Sequence, residues 1–201
     1  MDPFRRSLVL APLALAVAGG PAFAAPVSLA DLSRYLNGLT TAETSFVQVN
    51  ADGSRSTGRV IIKRPNRMRF EYDPPNEAVV LASAGKVAIF DDKSNQGPEE
   101  YPIRRTPLSL ILDRNIDLTR ARMVVAHEQQ GDETVVVAQD PDHPEVGTIS
   151  LVFSNRPVAL VRWVVTDEMG FETTVVLGDL RTGGDYPPST FSIVMETERR
   201  R

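Results

Sequence analysis

The chain has no cysteine, two histidines and a single tryptophan in 201 residues. Without cysteine there is no disulfide framework, no thiol nucleophile and no acyl-acceptor residue behind a leader, so a hydrophobic core has to hold the fold. His127 and His143 are the only imidazoles and no G-x-S-x-G run occurs, which leaves a hydrolase without an activated nucleophile. A strong charge excess is missing too: the net charge is −4, an acidity too mild to suit a nucleic-acid partner. No cofactor motif stands out, and none is expected.

What is present begins at the N-terminus. "MDPFRRSLVLAPLALAVAGGPAFAAPVS" places Arg5 and Arg6 before an apolar stretch from Leu8 to Ala18, and Ala22-Phe23-Ala24 ahead of Ala25. The stretch is shorter than the roughly 20 residues of a membrane-spanning helix, and the small residues at 22 and 24 fit a cleavage site. Residues 1–24 therefore read as a cleaved signal peptide that sends the chain across the inner membrane to the periplasm. Arg5-Arg6 is compatible with either the general or the twin-arginine route. Loss of Arg5, Arg6 and Asp2 takes the net charge from −4 to −5. Residues 25–201 are one domain's length, with no repeat or linker dividing them, and are expected to act as a monomer.

Ser28 with Asp31 three residues on is a helix start, and Leu29, Leu32, Leu36 and Leu39 recur at helical spacing, which predicts a helix over about 29–39. Eleven strand-like runs follow: "TSFVQV", "TGRVIIK", "RMRFEY", "AVVLAS", "KVAIFD", "ARMVVAH", "TVVVAQ", "TISLVFS", "ALVRWVVTD", "ETTVVLGDL" and "TFSIVM". Turn pairs such as Asp52-Gly53, Ala84-Gly85 and Met169-Gly170 separate them, as in an antiparallel meander. "TPLSLIL" (106–112), with Thr106 as N-cap and Pro107 at the first helical position, predicts a second short apolar helix. The terminal "ETERRR" reads as a frayed, solvated end. "QDPDHPEVG" (139–147) reads as an acidic turn rather than a metal site, and "DDKSNQG" (91–97) as a hairpin loop. Both helices are too rich in leucine for a surface. The expected fold is therefore mainly β with an α-helical lid: an unclosed antiparallel β-barrel enclosing a hydrophobic cavity.

"KRPNRMRFEY" (63–72) concentrates the functional signal. At period two Met68, Phe70 and Tyr72 share one face, opposite Arg67, Arg69 and Glu71, which read as a solvated face. On the preceding strand Val60, Ile62 and Arg64 share a face, so Arg64 is a lone cation at the end of an apolar row. Pro65 donates no ladder bond and ends that strand. A guanidinium keeps its proton and needs acceptors, and free carbonyls at the C-terminal end of a lid helix would suit it. From the residues alone, Met68, Phe70, Leu108 and Ile111 fit a plain core as well as a cavity wall, and Arg64 fits a solvated strand end.

Gly58, "VIIKRPN", "RMRFEY" and Pro74-Pro75 resemble the signature of the periplasmic outer-membrane lipoprotein carrier proteins, the LolA family. Phe46 and Gln48 match its F-x-Q, "SAGKVAIFD" its G-K hairpin, "TPLSLIL" its inner helix, "VVTDEMGFETTVVL" its D-x-x-G-x-x-T hairpin, and "FSI" its last strand. Met68 stands where the family usually has a larger aromatic, and Phe70 where it has Trp. The resemblance implies transport without catalysis. Acylated lipoproteins released by an inner-membrane ATP-driven transporter would be carried to an outer-membrane receptor, or to the outer membrane itself. It implies an acyl cavity and lid built from Phe46, Val60, Ile62, Arg64, Met68, Phe70, Leu108 and Ile111, with Arg64 holding the lid. The rival reading is a periplasmic lipoprotein-sensing regulator on the same half-barrel. Such a regulator is expected to carry a second domain, for which the residues after "FSI" leave no room.

Overall fold

The computed structural model describes residues 25–200 apart from 92 and 94–96. The expected signal peptide lies outside them, as does most of the expected 91–97 loop. Helix α1 (Leu29–Gly38) starts where the sequence reading puts it: Ser28 is extended, and its Oγ accepts from the Asp31 N–H at 3.1 Å. Leu32 and Leu36, one turn apart, are buried together.

Twelve strands among the described residues form one antiparallel sheet. They are β1 (Thr41–Val49), β2 (Arg55–Lys63), β3 (Met68–Tyr72), β4 (Val79–Ser83), β5 (Lys86–Phe90) and β6 (Glu99–Pro102), then β7 (Val124–Gln130), β8 (Glu133–Gln139), β9 (Thr148–Asn155), β10 (Val158–Thr166), β11 (Glu172–Leu177) and β12 (Arg181–Thr182). Their order is β6-β5-β4-β3-β2-β1-β11-β10-β9-β8-β7, with β12 on β1. Strands β6 and β7 are the two ends of this path and do not pair, so the barrel is unclosed. The chain passes between them through a 3-10 turn (Ile103–Arg105) and helix α2 (Ser109–Leu112).

All the predicted strand runs except the last are strands, and β6 adds one whose "EEYP" has no apolar alternation to reveal it. Helix α2 is shorter than predicted, because the Thr106 hydroxyl donates back to the Ile103 carbonyl and closes the preceding turn rather than capping a helix. A register shift in β10 between Leu160 and Arg162 puts Leu160 and Trp163, three residues apart, on the same inner face.

The inner face of the sheet, α1, α2 and residues 116–123 share one apolar core. A smaller cluster, Val79, Leu81, Ala88 and Phe90, lies on the other face of β4 and β5 beneath Ile193. Here the sequence reading fails. "TFSIVM" is not a strand, and "ETERRR" is not a frayed end as far as its described residues 196–200 go: Pro188–Phe191 form a 3-10 turn and Ile193–Arg199 form helix α3, capped by the Ser192 hydroxyl. Glu196 in α3 is buried and accepts from Arg69 at 3.0 Å, from Arg200 at 2.7 Å and from Arg199. Arg69 is thus also buried and not on a solvated face. Parity places it outside the barrel correctly, but α3 covers that outside.

Candidate functional site

Cross-strand register assembles the inner wall. Val60 faces Phe70 and Ile62 faces Met68, while Phe46 lies opposite Gly58. A Cβ at Gly58 would stand 2.0 Å from the Glu71 carbonyl oxygen and 3.0 Å from the Phe46 ring, so only glycine permits this approach of strands and aromatic. The Phe46 ring meets Phe70 and Tyr72 edge-on, each at 5.2 Å. Phe70 in turn lies 6.4 Å from Trp163. Burial pushes the Tyr72 phenol up to about 12, although its hydroxyl donates to Gln48 Oε1 at 2.7 Å. Sequence reasoning missed Trp163. The available signal was that the chain's only tryptophan sits within the apolar run "ALVRWVV".

The lid closes on this wall. Ile111 and Leu112 of α2 are buried in the same core, and Leu108 packs against it half-buried. Val60, Met68, Leu32, Leu112 and Trp163 are each at most 1 % exposed, so no water-sized gap touches these five side chains. The eight residues singled out from the sequence therefore fall into two groups. Phe46, Val60, Ile62, Met68, Phe70, Leu108 and Ile111 share one core, and Arg64 sits at its rim.

Arg64 is where lid and barrel meet. Its Nη1 donates to the Leu36 carbonyl in the last turn of α1. Its Nη2 donates to Asn37 Oδ1 at 3.1 Å and to the Asp113 carbonyl, just past α2, at 2.6 Å, and its Nε also reaches Asp113 at 3.1 Å. Burial lowers the Arg64 pKa from its ordinary value and the Asp113 charge opposes this; the guanidinium stays charged in either case. The adjoining turn adds a main-chain bond, from the Asn66 N–H to the Leu112 carbonyl at 2.8 Å. Asn66 has φ 58°, a left-handed conformation that asparagine tolerates.

Further polar bonds knit the two lid segments together. Asn37 Nδ2 donates to the Ile116 carbonyl at 2.8 Å while its Oδ1 accepts from the Ile116 N–H at 2.9 Å, and Ser33 Oγ accepts from the Leu118 N–H. Tyr35 docks α1 on the wall: its hydroxyl accepts from the Leu160 N–H at the β10 irregularity, and its ring meets Phe153 edge-on at 5.9 Å. Beside it an open groove of about 620 Å³, lined by Val27, Tyr35, Leu39 and Val158 among others, follows the lid edge. Among the described residues no cluster of acidic or imidazole side chains could hold a metal ion.

An open antiparallel half-barrel with an apolar concave face beneath hydrogen-bonded helices defines a fold built around a hydrophobic interior. The family model of the outer membrane lipoprotein carrier protein LolA matches residues 37–194, and the chain belongs to that family. It is 27% identical over 187 residues to an outer-membrane lipoprotein carrier protein of Chromobacterium violaceum, covering 89% of each chain. It is 28% identical to one from Xylella fastidiosa, covering 89% of this chain and 88% of that one. Among solved structures, a domain described as outer membrane lipoprotein-sorting, from Vibrio parahaemolyticus, superposes with a TM-score of 0.53 at 9% identity, over 86% of this chain and 97% of the other.

Proposed function

We propose that the chain is a periplasmic carrier that takes the acyl chains of lipoproteins into the space between its lid and the inner face of its half-barrel. An inner-membrane ATP-driven transporter would supply the cargo, and an outer-membrane receptor, or the membrane itself, would receive it. The observation that carries this reading is the mismatch between core and lid. The inner face is mostly apolar, but the elements covering it are short and are held at the rim by Arg64, Asn37 and Ser33.

Removal of an acyl chain of ~15 methylenes from water is worth ~12 kcal/mol. A few charge-assisted hydrogen bonds contribute about 1.5–3 kcal/mol each. Cargo can therefore displace the lid, and a vacant carrier can close again and hide its apolar wall from water.

The single tryptophan supplies the test. A lipopeptide with a brominated acyl chain should quench Trp163 fluorescence on contact, while its unbrominated twin should not. Binding without quenching would put the acyl chain elsewhere.

A further inference from the structure

The first described residues, 25–28, run along the open β7 side of the barrel. The Val27 N–H donates to Thr134 Oγ1 at 3.0 Å, and its carbonyl meets His127 Nε2 at 2.9 Å. The Thr134 hydroxyl, fully buried on β8, donates in turn to Asn155 Oδ1 at 2.7 Å. This anchoring brings Ala25 to the wall of a cleft of about 640 Å³ that Gln129, Asp132, Asn155 and Arg156 also line.

One group there is unsatisfied and a second is an unpaired charge. Gln129 Oε1 is the single buried side-chain nitrogen or oxygen without a hydrogen-bond partner among the described residues. Asp132, exposed in the β7–β8 turn, makes no ion pair among those residues, even with the equally exposed Arg156 of the β9–β10 turn. A buried acceptor without a donor costs about 1–3 kcal/mol, so its persistence points to a donor not yet in place.

We propose that this cleft seats the α-ammonium group created at Ala25 when residues 1–24 are cut away, with the Asp132 carboxylate and Gln129 Oε1 as its acceptors. In the precursor Ala25 N is an amide nitrogen with one hydrogen and no charge. After cleavage it carries three donors and a positive charge. Removal of the leader then completes the barrel's open β7 side, and the unprocessed chain stays less stable while it is being exported. The inference rests on cleavage after Ala24 and is independent of acyl-chain binding.

The test compares a chain starting at Ala25 with one carrying Gly-Gly ahead of it, which keeps the charge but moves it by up to about 7 Å. Both are released from a cleavable fusion, each with and without Asp132→Asn. The charged groups facing the amine are Asp132, Arg156 and, beside Val27, His127, and all are common to both chains. The Ala25 chain should melt about 2 °C higher at pH 7.

Seating the ammonium raises its folded pKa, so the advantage is full below the ordinary ~7.7–8.0 and is lost as pH rises through the folded value. It should vanish by pH 10 and in Asp132→Asn. An NMR titration of the Ala25 amine should read a pKa about half a unit above the ordinary ~7.7–8.0. Equal melting of the two chains, an advantage that survives Asp132→Asn or pH 10, an unshifted amine, or a periplasmic protein whose mass begins at another residue would each overturn the proposal.

Discussion

Substitution of Arg64 by leucine separates the latch from the wall it closes. The variant keeps much of the apolar stem and removes the donors to the Leu36 and Asp113 carbonyls and to Asn37 Oδ1. The site is half-buried, so the low end of the charged range applies. Counting only the two carbonyl acceptors, one at each lid segment, at ~1.5 kcal/mol each makes ~3 kcal/mol of preference for the closed lid. At 1.4 kcal/mol per decade, their loss raises the ratio of open to closed protein about 150-fold. More of the apolar wall is then exposed, and the variant should bind ANS more strongly than wild type.

A lipopeptide that binds only the open form should gain affinity by up to the same factor, through the larger open fraction, and should pass to acceptor vesicles more slowly because no latch draws the lid shut in its place. Arg64→Lys keeps the charge but not the planar fork, and should fall between the two. Dye binding, affinity and release all unchanged in Arg64→Leu would refute the latch and leave Arg64 as a solvated strand-end cation.

Three further outcomes follow from other parts of the molecule. Gly58→Ala should lower Tm by about 9 °C, taking ~3 kcal/mol for the clash with the Glu71 carbonyl, and a calorimetric scan showing no change would mean that the strands can part there. The Glu196 carboxyl is held at about 2 by its hydrogen bonds to Arg199, Arg200 and Arg69, which outweigh the opposing effect of burial, against an ordinary 4.5. A depressed acid stabilises the fold above the unfolded value and loses that contribution as pH falls from about 4.5 to 2. Wild type should therefore lose on the order of 3 kcal/mol over that window in urea titrations, whereas Glu196→Gln should start lower and lack the slope. Removal of Arg69 alone takes one of three cationic partners from the same buried carboxylate and should lower Tm; a neutral Arg69→Ala would contradict the buried cluster.

The sequence made the sheet legible wherever one strand face was buried and the other wet, as in "RMRFEY" and "TVVVAQ". It also made α1 legible, because Ser28 supplies a local cap. The last helix was not legible. "TFSIVM" has the β-branched and aromatic content of a strand, and the residue that decides otherwise, Glu196, finds Arg69 from 127 positions away. The site divides in the same way. Parity alone put Val60, Ile62, Met68 and Phe70 on one wall and Arg64 at its end, because these residues are near in sequence. Trp163 joins that wall across a sheet path that residue spacing cannot reveal, and the β10 irregularity that lets Leu160 share its face leaves no composition signal. Asn37 and Ser33 are polar positions of α1 that leucine spacing does not single out. Their partners at Ile116 and Leu118 belong to a loop without periodicity.

The central claim is that cargo lies against the inner face and nowhere else on the sheet. Its most direct measurement is photo-crosslinking in cells with a benzophenone amino acid at Met68, buried on the inner wall, or at Val176, exposed on the outer face of β11. The expected result is an adduct between the position-68 protein and acylated lipoproteins, absent at position 176 and lost when lipoprotein acylation is blocked. Equal adducts at both positions, or an adduct at 176 alone, would contradict it.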